Sequence, residues 1–141
     1  MAIVIYHNPA CQTSRNTLAM IEASGVQPVV INYLECGWTR PQLLGLFAAA
    51  GLTAREALRT TKSPADQLGL IEPAAEPQLD EQMLLAAMVA HPILVNRPFV
   101  CSPRGVRLCR PSEVVLDLLD DPHRLDGFVK PDGDVVRLNG R

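Results

Sequence analysis

The chain has 141 residues, 48% hydrophobic and 20% charged, with a formal net charge of −2. That balance fits one soluble globular domain with a real core and argues against generic nucleic-acid binding, and no run of about 18 apolar residues is present to span a membrane. The opening MAIVIY enters a strand directly, without the basic and apolar regions of a signal peptide, so a cytoplasmic protein with reduced thiols is expected.

Ile3 to Tyr6 read as a short buried strand. His7-Asn8-Pro9 make a turn and Cys11 follows. Thr13 or Ser14 can cap a helix that runs through Leu18 and Ile21 to Ser24, with Gly25 as its left-handed end. Pro28 to Tyr33 read as a second strand. A strand, a helix and a strand in so short a span imply parallel pairing and a right-handed crossover.

A helical insert comes next, over about residues 38–91. Thr39 can cap a helix from near Pro41 to Gly51, with Leu43, Leu46, Phe47 and Ala50 as its apolar stripe. Thr53 and Glu56 form a capping box for a short helical segment ending near Leu58. Ser63 and Pro64 start another short helix that ends by Gly69. Asp80 to Ala90 form a helix that is apolar on most of its circumference (Met83, Leu84, Leu85, Met88, Val89), so it should be largely buried. Pro92 closes it.

Ile93 to Val95 lead to a strand over Phe99 to Cys101. Ser102-Pro103-Arg104-Gly105 has the residues of a type I turn, and Val106 to Cys109 return as a hairpin. Pro111 starts a helix with Val115, Leu118 and Leu119 on its apolar face. After Asp120 the chain turns polar. Phe128-Val129 read as a docking point and the final residues as frayed. The order is βαβ, helical insert, ββα. It predicts an α/β protein of thioredoxin-like fold: a small mixed sheet with an inserted helical subdomain, all in one domain, residues 1–141.

Cys11 sits between a strand end and a helix start. The first amides of a helix lack intrahelical acceptors, and the dipole there favours negative charge. A thiol so placed ionises more readily, and the thiolate is the reactive form. Cys11 is therefore read as a nucleophile; a half-buried structural cysteine is the alternative. Cys11-Gln12-Thr13-Ser14 is a C-x-x-S, without the second thiol of a C-x-x-C, so a sulfur intermediate must pass to an outside thiol. His7 either favours the thiolate, as imidazolium or by hydrogen bonding, or merely ends the strand. Arg15, a cation in the first helical turn, either faces an anion or is solvated. Ser14 either donates to the sulfur or caps the helix. Arg59, Arg97 and Arg110 stand at element edges. Together they can converge on one anion; singly each reads more readily as a surface residue. Cys36, Cys101 and Cys109 read as small apolar fillers, and His91 and Asn96 as structural. The cysteines show no paired metal-ligand spacing, so no metal is expected. A tyrosine-phosphatase loop needs C-x5-R, and the residue in that place is Thr17.

The blocks YHNPAC-x-TSRNTL, ALRTTKSP, LGL, HPILVNRP and LCRPSEVVL, with K-x-DG near the end, closely resemble the glutaredoxin-coupled arsenate reductases in that order. The resemblance spans nearly the whole chain to about Gly133. It implies that Cys11 attacks arsenate, that glutathione attacks the adduct as As(V) becomes As(III), and that glutaredoxin reduces the remaining mixed disulfide. It implies that Arg59, Arg97 and Arg110 hold the oxyanion and that His7 assists the cysteine; Ser14 and Arg15, from their places in the first helical turn, are assigned to the same substrate site. Glutathione is then a co-substrate and no cofactor is bound. The partners are arsenate, arsenite, glutathione and glutaredoxin, for a monomer without membrane or nucleic-acid contacts. A cis peptide is expected at Arg97-Pro98. Gln12, the loop Pro73 to Pro77 and the tail after Val135 depart from the family pattern. The competing reading is a non-enzymatic stress regulator or an orphan thiol-redox relative of the same fold; such regulators usually carry C-x-x-C. A monothiol glutaredoxin ranks lower, because its site does not require three arginines.

Overall fold

A computed structural model describes residues 2–138. The frayed end expected of the final residues falls on 139–141, outside them. The chain divides into two compact units, residues 1–32 with 97–141, and residues 33–96.

The first unit is built on a mixed sheet. Among the described residues it contains β1 (Val4–His7), β2 (Val29–Asn32), β3 (Phe99–Ser102) and β4 (Gly105–Leu108), in the order β2-β1-β3-β4. β1 pairs parallel with β2, Ile5 opposite Val30, and antiparallel with β3, Ile5 opposite Val100. β1 is not uniformly buried. Ile3, Ile5 and His7 are buried while Val4 and Tyr6 are half-buried, the two-residue period of a strand with one face inward. Helix α1 (Gln12–Ala23) lies on that face and buries Ser14, Thr17 and Ile21, residues i, i+3 and i+7. Gly25 has φ +93°, a left-handed backbone that favours glycine, and a Cβ there would meet the Arg124 guanidinium at 3.0 Å. The two-residue β3–β4 turn is fixed by the Arg104 N–H donating to Ser102 Oγ at 3.0 Å.

The helix expected from Pro111 is a tighter 3-10 helix over Ser112–Leu118, but its apolar face is as read: Val115, Leu118 and Leu119 join Ile3, Ile5, Met20, Ile21 and Val100 in one core. Fully burying each such side chain is worth about 1.5–3 kcal/mol. The tail is less polar in effect than its composition suggests. Pro122–Leu125 form a further 3-10 turn, Val129 bridges Val135, and Leu125 and Val136 enter the core. Phe128 packs against that core, while Val129 is exposed.

In the second unit, α2 (Tyr33–Cys36) takes the residue expected to end the second strand. α3 (Arg40–Ala50) is capped by Thr39 in a reciprocal box with Gln42 and ends at left-handed Gly51, φ +70°. The Thr53–Glu56 box also forms, with the Thr53 N–H donating to Glu56 Oε1 at 3.0 Å and the Glu56 N–H to Thr53 Oγ1 at 3.1 Å. Yet residues 54–57 close as a turn, and the segment after Ser63 does the same. Capping bonds alone do not offset the cost of nucleating so short a helix. α4 (Pro77–Ala90) begins three residues before Asp80, because Pro77 suits the first helical position. Only one side of α4 is buried, through Asp80, Leu84, Leu85 and Met88; Met83 and Val89 are exposed, contrary to the all-round burial expected. Asp80 is buried because Arg55 grips it from Nε at 3.1 Å and Nη2 at 2.6 Å. Pro92–Leu94 form a 3-10 turn. Cys36 is exposed rather than a filler, Cys101 is half-buried, and Cys109 is buried.

Candidate active site

Cys11 ends the turn that leaves β1. Asn8 closes this turn twice: its carbonyl accepts the Cys11 N–H at 3.0 Å, and its Oδ1 accepts the Ala10 N–H at 2.9 Å. Such an Asx turn fixes the backbone locally. Asn8 is buried. The Asn-Pro pair announces a turn but not this second use of the side chain. Cys11 itself, at φ −96° and ψ 123°, takes the N-cap place expected for Thr13 or Ser14, and its carbonyl accepts the Arg15 N–H at 3.0 Å. The sulfur is thus carried by the residue that opens the helix.

Cys11 is 7% exposed. Arg110 Nη1 lies 3.9 Å from its Sγ and donates to the Arg97 carbonyl at 3.1 Å. Burial pushes the thiol up. The Ser14 backbone N–H, the charge and hydrogen bonding of Arg97, and the charge of Arg110 push it down and prevail, leaving Cys11 below its ordinary value of 9.0. The contrast with the other buried thiol is sharp: burial pushes Cys109 up to about 12.

His7 Nδ1 lies 3.0 Å from Ser14 Oγ, and the Asn8 N–H donates to the same oxygen at 3.0 Å. Burial first, then the Arg15 charge, lowers the His7 imidazole below its ordinary value, against a smaller upward pull from Glu22. That direction works against an imidazolium, and the partner the structure gives the ring is the Ser14 hydroxyl. Ser14 does not cap α1 with its side chain; its hydroxyl is a buried junction between His7 and Asn8. Arg15 donates to the Pro9 carbonyl and to Gln12 Oε1, each at 2.7 Å. It braces the Cys11 turn, a role neither sequence reading contained.

The first unit thus gathers Cys11, His7, Ser14, Arg15, Arg97 and Arg110. Both Arg97-Pro98, as expected, and Arg110-Pro111 are cis. Arg59 belongs to the second unit, where it is 8% exposed. Its Nε donates to the Thr61 carbonyl at 3.0 Å and its N–H to the Leu94 carbonyl at 2.8 Å. Among the described residues no three His, Cys, Asp or Glu side chains are grouped to hold a metal ion, and no helix is long and apolar enough to cross a membrane. A depressed thiol beside two guanidiniums can attack an electrophilic oxyanion: the cations offset the repulsion between two negative partners and stabilise charge on a departing oxygen.

The model of the ArsC family matches residues 6–118. The chain is similar to the arsenate reductase ArsI2 of Synechocystis sp., 65% identical over 135 residues, which is 95% of this chain and 92% of that protein. An arsenate reductase of Escherichia coli is 51% identical over 134 residues, covering 95% of this chain and 92% of its own. Among solved structures, an arsenate reductase from Vibrio cholerae superposes with a TM-score of 0.76 at 38% identity, covering 84% of this chain and 98% of that one.

Proposed function

The chain belongs to the ArsC family, and we infer that it is an arsenate reductase, an oxidoreductase that works through one nucleophilic cysteine. The observation that carries this reading is the buried Cys11 sulfur at the start of α1 with Arg110 Nη1 at 3.9 Å. The Cys11 thiolate displaces an oxygen of arsenate, which leaves as water, and an S–As(V) bond forms. Glutathione thiolate then attacks. Two thiols lose two electrons to become a Cys11–glutathione disulfide, and arsenic gains them and departs as arsenite. Glutaredoxin with a second glutathione reduces the disulfide and returns the Cys11 thiol.

Arg97 and Arg110 bind the oxyanion. Arg59 is assigned as its third guanidinium ligand on the match of its ALRTTKSP block to the family. His7 acts on the sulfur through the Ser14 junction, and Arg15 keeps the Cys11 turn in shape. The protein acts in the cytoplasm as a monomer, one domain over residues 1–141, with glutathione as co-substrate and no bound cofactor or metal. The test is arsenate-dependent NADPH consumption with glutathione, glutaredoxin and glutathione reductase. Turnover that requires arsenate and vanishes in Cys11→Ser supports the reading. Absence of arsenate-stimulated turnover in the wild type overturns it, and normal kinetics for Arg59→Ala remove that residue from the site.

A further inference from the structure

Residues 127–136 fold back as a tight hairpin. The Gly127 N–H donates to the Val136 carbonyl at 2.9 Å, the Val136 N–H to Phe128 at 2.8 Å, and the Lys130 N–H to Asp134 at 2.8 Å. The root of the hairpin is apolar, with Val136 in the core. Its tip is not.

Lys130 is 7% exposed, deep burial for an ammonium. Its Nζ donates to Glu113 Oε2 at 2.7 Å and to Ser112 Oγ at 3.3 Å. Those residues directly follow Arg110-Pro111. On the other side of the tip, Asp132 Oδ2 accepts from Asn16 Nδ2 at 2.8 Å, and Asn16 Oδ1 accepts from Gln12 Nε2 at 3.0 Å. Gln12 directly follows Cys11. One hairpin therefore grips both segments that meet at the sulfur.

We propose that Lys130 is a positioning residue: by fixing the Ser112–Glu113 corner it holds Arg110 against Cys11, while Asp132 holds α1 from the opposite side. Arg110 has a long side chain and is itself exposed, so its reach depends on where its backbone starts. A hydrocarbon side chain would fill the Lys130 site with a smaller desolvation cost. What it would not do is fix the direction of a hydroxyl and a carboxylate beside the arginine loop.

The proposal rests on the reading of Arg110 as part of the site, so the main readout is alkylation of Cys11, which needs no arsenate. In Lys130→Met the pH profile of Cys11 alkylation by iodoacetamide should move to higher pH, because Arg110 no longer favours the thiolate. The KM for arsenate should rise on the order of tenfold with a smaller change in kcat, the scale expected of a small misplacement. Lys130→Arg, which keeps the N–H donors, should recover part of both. In an Arg110→Ala background Lys130→Met should add no further shift, as expected of residues acting through one another. A folded Lys130→Met protein with the wild-type profile and KM overturns the proposal, and so does an equal shift with Arg110 absent. Should Lys130→Met not fold, Glu113→Gln takes its place: a shift in the same direction supports the proposal and an unchanged profile overturns it. A wild type inert towards arsenate would overturn the function and leave the alkylation result to decide this one.

Discussion

Replacing Ser14 by alanine removes one oxygen from a corner that is fully buried, at 0% exposure. Two groups lose their partner: the Asn8 N–H and His7 Nδ1, both 3.0 Å from that oxygen. Asn8 and His7 are themselves buried, so bulk water does not replace it. A buried polar group left without a partner costs about 1–3 kcal/mol. The imidazole can relieve its share by rotating or changing tautomer, whereas the Asn8 N–H is fixed by the turn. The expected loss of stability is therefore about 2 kcal/mol. Urea unfolding reads it as a lower midpoint at unchanged slope. A side chain acting only as a helix cap would lose about 1 kcal/mol. A loss at or below that figure would refute the junction role assigned to this hydroxyl.

Other perturbations test other parts. His7 is held below its ordinary value of 6.5, so the unfolded chain binds a proton first as pH falls. Its contribution is complete above pH 6.5 and is lost as pH drops through the folded value. Urea midpoints of the wild type should fall more steeply as pH drops below about 6.5 than those of His7→Gln; equal slopes would exclude His7 as the source. Asp80→Asn breaks the two-pronged grip of Arg55 and leaves that cation partly buried, and should cost about 2 kcal/mol in unfolding experiments; a neutral result would show the pair to be dispensable. Alkylation of the native protein near neutral pH should mark Cys11 and exposed Cys36 well before Cys101 and Cys109, which burial pushes up. Peptide mapping showing Cys109 labelled first would contradict the burial described.

What could be read from the residues was what short-range chemistry decides. Thr39, Gly51 and the Ser102–Gly105 turn lie where their side-chain and backbone preferences put them, and the β1–α1–β2 order fixed the parallel pair. Cys11, Arg97 and Arg110 fell at element edges, and the first unit does bring them together. What was misread depended on tertiary contacts. The capping box at Thr53 forms its bonds without making a helix, because no longer run follows it. Met83 and Val89 are apolar yet exposed, since hydropathy around a helix does not say how many sides have a neighbour. The core roles of Leu125 and Val136 were hidden among prolines and glycines. Ser14 and Arg15 read as facing the sulfur, an anion or the helix end, whereas their partners are His7 at the end of β1 and Pro9 in the turn that follows it.

β2 forms the margin of the sheet, and Val29 and Val30 stand exposed on it. Such a margin offers its peptide groups to any extended chain that comes alongside, which is how sheets of separate molecules fuse. Two features keep that invitation brief. The strand has only four residues, and Pro28 ahead of it has no amide hydrogen with which to lengthen the ladder. Lateral growth is thus discouraged by shortness and a missing donor rather than by charge, and crowded solution is where that guard is thinnest.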